Sequence, residues 1–273
     1  MTSFFTIYRN VCIGLLSLLL TVQVSADTQQ TASQLVSASG FISLSKQLPQ
    51  HFNRGIQDAV DYQKAPESQQ QQLLAQAQQA ITIANIHHHV EQTVTQSLSA
   101  SDITALMQWY NSPTGQKISA AQSYAASEAG FEAMMLHVNT LLSEEALLQL
   151  AALMDQQLGF VEFIVDLQEY QAFAEYSSQQ ALKHQPVDLT YFGNQMKQQR
   201  DPMRFNAEQL AVISLAYAFR DISREEIRAY EHFLQQPLTQ LFLKAAMRGL
   251  EKGMQETQQH WLGSITRLQM ASE

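Results

Sequence analysis

The scarcity of helix-breaking residues constrains this chain more than any other feature. Only 10 glycines and 6 prolines occur in 273 residues, and apolar residues recur every three or four positions over long segments rich in alanine, leucine and glutamine. This spacing gathers apolar side chains on one side of a helix. No run alternates between apolar and polar residues in the way a half-buried strand does. The pattern predicts an all-α protein in which helices pack as a bundle.

The first 26 residues resemble a secretory signal peptide. Arg9 precedes an apolar run over residues 11–22, and Val24-Ser25-Ala26 offers a cleavage site. The run of about 12 residues is short for a bilayer, which needs about 20. We expect cleavage after Ala26, export to the periplasm and no stable membrane anchor in the mature chain; a retained anchor is the alternative. Cys12 would be removed with the signal peptide, so the mature chain would contain no disulfide.

The charge balance argues against nucleic acid as a partner. The chain has 16 basic and 25 acidic residues; without Arg9, the balance of 15 − 25 gives the mature chain a net charge of −10. Nucleic-acid binding requires a basic face, and docking on anionic lipid requires basic clusters. We therefore expect neither nucleic acid nor an anionic membrane surface as a partner.

Start and stop signals divide the helical pattern into segments. Residues 99–102 and 223–226 read as capping boxes, Ser112 precedes a first-turn proline, and Pro237 begins the last helix. Loops are expected over residues 184–190 and 200–206. The predicted helices cover about residues 31–62 (with Pro49 as a candidate break), 67–98, 99–111, 113–142, 143–176, 206–220, 223–236 and 237–270.

A faint internal repeat relates two of these helix junctions. A shift of 124 positions aligns residues 101–113 with 225–237, placing Trp109 on Phe233 and Pro113 on Pro237. Each segment is a short helix with an acidic start, an aromatic residue near its end, and a proline that opens a long helix. The repeat predicts two related multi-helix units, residues 27–142 and a diverged copy over residues 143–273. Chance similarity between two amphipathic helices is the alternative.

The first of these segments resembles a known family. The string from Asp102 to Lys117, DITALMQWYNSPTGQK, is similar to the signature of exported bacterial proteins grouped as domain of unknown function 2059. That signature has an acidic helix start, an aromatic pair and Ser-Pro-x-Gly-x-Lys, and the similarity covers roughly residues 85–140. The resemblance implies a helical periplasmic protein without an established reaction. The second segment has Gln236, Thr239 and Leu241 in place of the serine, glycine and lysine.

Three interpretations of the Ser-Pro-Thr-Gly-Gln-Lys string remain open. As architecture, Ser112 caps the helix that follows it. As a binding site, Gly115 and the helix N–H groups would admit an anion. As a catalytic site, Ser112 would be a nucleophile with Lys117 as its base. We favour architecture, expect no catalytic residues, and retain as candidate ligand-binding residues Trp109, Tyr110, Ser112, Gly115 and Lys117.

A histidine cluster carries the only metal-ligand chemistry in the pattern. On a helix, His87 or His88 could share a cation with Glu91. The three consecutive histidines, however, fan out to different faces, and His87 also continues an apolar stripe. We expect a core or interface histidine with solvated neighbours, so His87, His88 and Glu91 are weak metal candidates and no cofactor is predicted.

Aromatic residues recur at helical spacing between residues 160 and 176. Such stripes are usually core, although a groove for an apolar ligand or a partner helix has the same pattern. The stripe comprises Phe160, Phe163, Tyr170, Phe173 and Tyr176.

These observations favour an exported, non-catalytic helical protein. We expect it to bind a protein, peptide or apolar ligand of the cell envelope through a groove between helices. The alternative is a hydrolase, either metal-dependent through His87 and Glu91 or serine-type through Ser112 and Lys117. A homo-oligomer that forms through the aromatic stripe is a third possibility.

Overall fold

The computed structural model describes residues 31–270, and every regular element within them is a helix. The predicted signal peptide lies outside the described residues. The all-α prediction is confirmed, and one main core cluster holds residues of both predicted units, from Ala32 to Ile265. The helices are residues 31–38 (α1), then α2 (Phe41–Ser45), α3 (Gln47–Gln63), α4 (Glu67–Ala80), α5 (Ile83–Ser97), α6 (Ala100–Tyr110), α7 (Pro113–Ala125), α8 (Glu128–Ser143), α9 (Glu145–Leu158), α10 (Phe160–Leu182), α11 (Leu189–Phe219), α12 (Arg224–Leu234) and α13 (Pro237–Met270).

Breaks divide four of the predicted long helices. Gly40 and Gly159 adopt left-handed φ angles of 85° and 68°, which side-chain-bearing residues rarely adopt. Thr82 and Ser127 act as N-caps of α5 and α8, each accepting a backbone N–H three residues later. Pro49, the candidate break, instead lies in the first turn of α3, where a proline needs no hydrogen-bond donor.

The loop predicted over residues 200–206 is wrong, because α11 continues through Pro202. Ion pairs hold this segment against α10. Arg200 donates to Glu169 at 2.5 Å and to Glu162 at 3.2 Å, and Arg204 also pairs with Glu162. These contacts offset the hydrogen bond that proline removes from the helix.

The centre of the bundle surrounds the buried Trp261 of α13. Its ring lies 5.6 Å from the Phe52 ring of α3, which in turn lies 4.8 Å from the Tyr170 ring of α10. The indole Nε1 donates to Ser177 Oγ at 2.9 Å, so the buried polar atom is satisfied. The stripe predicted to be core is core at its centre, since Phe163, Tyr170 and Phe173 are all buried.

Helices α5 and α13 pack antiparallel and unusually close together. A Cβ on Gly249 would lie 2.8 Å from the backbone nitrogen of Val90, and farther along α5 the Thr93 hydroxyl donates to the Ala245 carbonyl oxygen at 2.8 Å. Only a residue without a side chain allows such an approach. The outer helices α7, α8 and α9 pack mainly against α11, which itself lies against α10, while α12 contacts α7, α9 and α13.

Candidate functional site

The junction between α6 and α7 contains the residues singled out by the sequence. Ser112 is the N-cap of α7 and accepts from the Gly115 N–H at 3.0 Å, as the architectural interpretation predicts. Ser99 and Asp102 form a capping box at the start of α6. Each of the two helices therefore begins at a serine whose side chain accepts a hydrogen bond from a backbone N–H of the first turn.

Gly115 is buried at this junction, facing the preceding helix. A Cβ at this position would lie 2.9 Å from the Trp109 carbonyl carbon and 3.1 Å from the Tyr110 Cα. The next junction repeats the arrangement, because Ser127 caps α8 and Gly130 faces the Tyr124 carbonyl. The glycine permits a tight helix–helix turn in both places.

The aromatic pair faces α12. The half-buried Trp109 ring stacks on Phe233, with centroids 4.6 Å apart and an interplanar angle of 12°, and the Tyr110 ring meets Phe233 edge-on at 5.5 Å. Tyr110 is buried, and burial raises the pKa of its hydroxyl well above the ordinary value. Both rings therefore help to join the α6–α7 junction to the predicted second unit.

Lys117 binds a carboxylate of that second unit. Its Nζ donates to both carboxylate oxygens of Glu226, at 3.0 and 2.8 Å. Glu226 also accepts from the backbone N–H of Ser223 in the capping box of α12. The hydrogen bond from Lys117, with those from Ser223, lowers the pKa of Glu226 to about 2.

These partners bear on the serine-type alternative. The Ser112 hydroxyl oxygen serves the cap, and the Lys117 ammonium serves Glu226. A Ser-Lys pair would need the lysine nitrogen to lie within hydrogen-bond reach of the hydroxyl, whereas Lys117 Nζ donates to both carboxylate oxygens of Glu226. The structure thus gives each predicted site residue a packing or capping partner, and ligand binding by them stays a prediction.

The histidines point in three directions, as the sequence predicts. His87 Nε2 lies 2.5 Å from Ser45 Oγ. Burial lowers the pKa of His87, and the negative charge of Glu91 only partly opposes this shift. His88 is exposed, while His89 pairs with Glu256 of α13. Within residues 31–270, no three His, Cys, Asp or Glu side chains form a group suited to a metal ion.

A groove that sequence reasoning missed lies between the α9–α10 turn and α13. Its volume is about 580 Å³, within the usual range of about 300–1,000 Å³ for ligand pockets. The groove is open to solvent along one side. Its floor is apolar and consists of Leu158, Phe163, Leu243, Met247, Leu250 and Met254.

The acidic wall of this groove is compensated by arginines. Asp166 lies 3.7 Å from Arg200, which also pairs with Glu162. Burial raises the pKa of Asp166 to about 6; Arg200 opposes the rise, and the nearby carboxylates, including Glu251, add to it. A carboxyl group with a strongly raised pKa in a cleft marks a candidate functional site.

The basic rim of the groove has no such compensation. Lys244 and Arg248 line it one helical turn apart on α13. Among residues 31–270 neither forms an ion pair, and the only side-chain hydrogen bond of Arg248 runs to the Lys244 carbonyl oxygen. Lys244 and Arg248 therefore bring two positive charges to the edge of an apolar floor.

Within the described residues, no helix has the length and apolar character required to cross a membrane.

Comparison with known proteins agrees with the motif. No curated protein and no solved structure matches the chain. The family described as "Uncharacterized protein conserved in bacteria (DUF2059)" matches residues 90–136, which include all of α6 and α7. The segment that carries Ser-Pro-x-Gly-x-Lys is therefore similar to this bacterial family.

Proposed function

We propose that this chain is an exported, non-catalytic binding protein of the cell envelope whose groove beside α13 holds an anionic amphiphile. One observation carries the proposal: the unpaired Lys244 and Arg248 lie at the edge of an apolar floor. A carboxylate or phosphate head would pair with these cations, and an acyl chain would cover Leu243 and Met247.

The groove is electrically polarised along its length. Lys244 and Glu251 are seven residues apart on α13, about 10 Å along the helix axis, and Glu251 lies near enough to Asp166 to raise its pKa. An anionic head is therefore favoured at the end that holds Lys244 and Arg248 and disfavoured at the Asp166 end. This polarity gives the ligand one preferred orientation.

A fluorescent fatty acid tests the proposal. Dansyl-undecanoic acid should bind the purified mature chain, and its uncharged methyl ester should bind more weakly. Replacing Lys244 and Arg248 together by glutamine should weaken binding of the acid by about tenfold or more, because each charge-assisted hydrogen bond contributes about 1.5–3 kcal/mol.

Lys252→Gln provides the matched control. Lys252 is exposed and lies one turn beyond Arg248 on α13, but it does not line the groove. Its replacement removes one positive charge from the same helix and should leave affinity unchanged. Equal binding of acid and ester, or equal affinity of all variants, would refute an anionic ligand in this groove. N-terminal sequencing of the mature protein tests export separately, with Asp27 as the expected first residue.

We also infer that residues 143–273 are a diverged second copy of the first unit. Three features support this inference. Helices α6 and α12 each have 11 residues, each begins with a serine-acid capping box, and α7 and α13 each begin at a proline. In addition, the aligned residues Trp109 and Phe233 stack on each other, as the equivalent positions of two units related by a twofold axis would.

A further inference from the structure

The outer face of α8 is an apolar stripe that no element within residues 31–270 covers. Phe131, Met135, Val138 and Leu142 are spaced by four, three and four residues, which places them in one line along the helix. Three of them are about half exposed: Phe131 at 48%, Met135 at 50% and Leu142 at 54%. We call these four residues the α8 stripe. A contiguous exposed stripe of this kind marks an interaction site more often than a free surface.

The α8 stripe is not the side that holds α8 in the bundle. The buried residues of α8 are Gly130, Met134 and Leu141, and they face α7, α9 and α11; Met134 Sδ, for example, accepts from Ser214 Oγ at 3.5 Å. The stripe lies beside this buried side and extends it outward. A further helix laid along the stripe would continue the packing of the bundle.

The charge around the stripe selects its occupant. Residues 118–182 contain no lysine or arginine and nine acidic residues. Glu128 and Glu132 lie at the start of α8, and Glu144 and Glu145 follow its end. A second copy of this chain would bring acid against acid in either orientation, and an anionic membrane would be repelled likewise.

We propose that the α8 stripe docks a basic amphipathic helix of a partner protein. The stripe runs over residues 131–142, and its two end residues lie about 16 Å apart along the axis, so about three turns of the partner would lie on it. Apolar residues of the partner at three-four spacing would contact the stripe, and its flanking Lys or Arg residues would pair with the glutamates at both ends. The contact is smaller than the standard interface of about 1,600 Å², which makes a transient complex the expected outcome.

A pair of designed peptides tests the docking surface. One is a fluorescein-labelled helix of leucine and lysine with leucines at three-four spacing, and the other replaces every lysine by glutamate. The lysine peptide should bind the mature chain by fluorescence anisotropy, with affinity that falls as salt rises, and the glutamate peptide should not bind. Replacing Phe131 and Met135 together by serine should weaken binding by about tenfold or more, because it removes two large apolar contacts.

Leu136→Ser is the matched control. Leu136 is 85% exposed on the same helix, but its side chain lies about 100° around the axis from Met135. This variant should bind the lysine peptide as the parent chain does, and circular dichroism should show that all variants remain folded. Replacing Glu128 and Glu132 by lysine should weaken binding of the lysine peptide and strengthen binding of the glutamate peptide.

Several outcomes would overturn the proposal. Equal binding of both peptides would remove the role of charge, and unchanged binding to the Phe131/Met135 variant would place the peptide elsewhere. Self-association in sedimentation that disappears in this variant would assign the stripe to a second copy. Binding of anionic vesicles through the same residues would assign it to a membrane. The groove variants at Lys244 and Arg248 should not change peptide binding, so this proposal and the amphiphile proposal fail independently.

Discussion

Gly115 separates the architectural interpretation of the motif from the ligand interpretation. If the glycine exists to let α7 lie against the end of α6, a single methyl group at this position must force the helices apart. If it exists to admit a ligand, the methyl group should affect binding and leave folding intact. The substitution Gly115→Ala therefore tests one interpretation against the other.

The packing around Gly115 determines how much stability the Gly115→Ala substitution should cost. The new Cβ would lie 2.9 Å from the Trp109 carbonyl carbon, 3.1 Å from the Tyr110 Cα and closer still to the carbonyl oxygen of Trp109. All three are backbone atoms, so no side-chain rotation relieves the overlap. Overpacking of this kind costs about 1–3 kcal/mol, while a helical Gly→Ala change by itself stabilises by up to about 1 kcal/mol. We expect a net loss of about 1–2 kcal/mol in the free energy of unfolding.

Urea unfolding followed by circular dichroism measures this difference. Gly193→Ala is the control, since Gly193 lies inside α11 and a Cβ there meets no atom within 4 Å. It should stabilise the protein by up to about 1 kcal/mol, the opposite sign. A Gly115→Ala protein that is as stable as the parent, or more stable, would refute the close-packing argument. Loss of ligand binding at unchanged stability would favour a binding role for Gly115.

Three further predictions concern capping and titration. Ser112→Ala should lower the free energy of unfolding by about 1 kcal/mol, because the Gly115 N–H loses its cap; a stability unchanged in urea unfolding would contradict the capping role. Asp166→Asn should stabilise the protein above pH 6 by about 1 kcal/mol, less than the shift alone implies because the side chain is 36% exposed. This gain should fall as the pH drops below 6 and disappear below the ordinary value of 3.8, where the carboxyl becomes protonated in both the folded and the unfolded chain; thermal melts across pH that show a constant difference would refute it. Lys117→Gln should raise the pKa of Glu226 from about 2 toward its ordinary 4.5, as NMR titration of the carboxylate can show. In the parent chain the stability from this pair is present above pH 4.5 and is lost as the pH falls toward 2, so the variant should depend less on pH in that interval.

Capping residues close together in the sequence made some helix boundaries predictable, whereas other boundaries were missed. The capping boxes at Ser99 and Ser223 and the serine-proline start at Ser112 involve residues three or four positions apart, and the structure confirms all three. The breaks at Ser127 and Gly159 also have local signals, a capping serine and a glycine, but the apolar periodicity that continues on both sides favoured an unbroken helix.

The side chains that contact the candidate site residues come from distant parts of the chain. Local sequence patterns therefore do not predict these contacts. Lys117 and Glu226 are 109 residues apart, and no spacing rule relates them. Likewise, the groove takes its lining from α9, α10 and α13, each of which reads as an ordinary amphipathic helix. The continuation of α11 through Pro202 also depends on ion pairs with α10, and local propensity argued against it.

The α6–α7 junction and the α12–α13 junction differ at three aligned motif positions. The motif residues that differ between them, Ser112, Gly115 and Lys117, serve a helix cap, packing and an ion pair in the first junction. The position aligned with Lys117 is Leu241, which is 41% exposed and lines the groove beside α13. A lysine at this position would bring a third cation to the groove and shorten its apolar lining, whereas leucine extends that lining toward solvent. The lysine of the first junction thus forms an ion pair with α12, and the second junction has an exposed leucine at the aligned position. For this reason, we expect Leu241→Lys to weaken the contact of an acyl chain with the groove and to leave the Lys117–Glu226 ion pair intact.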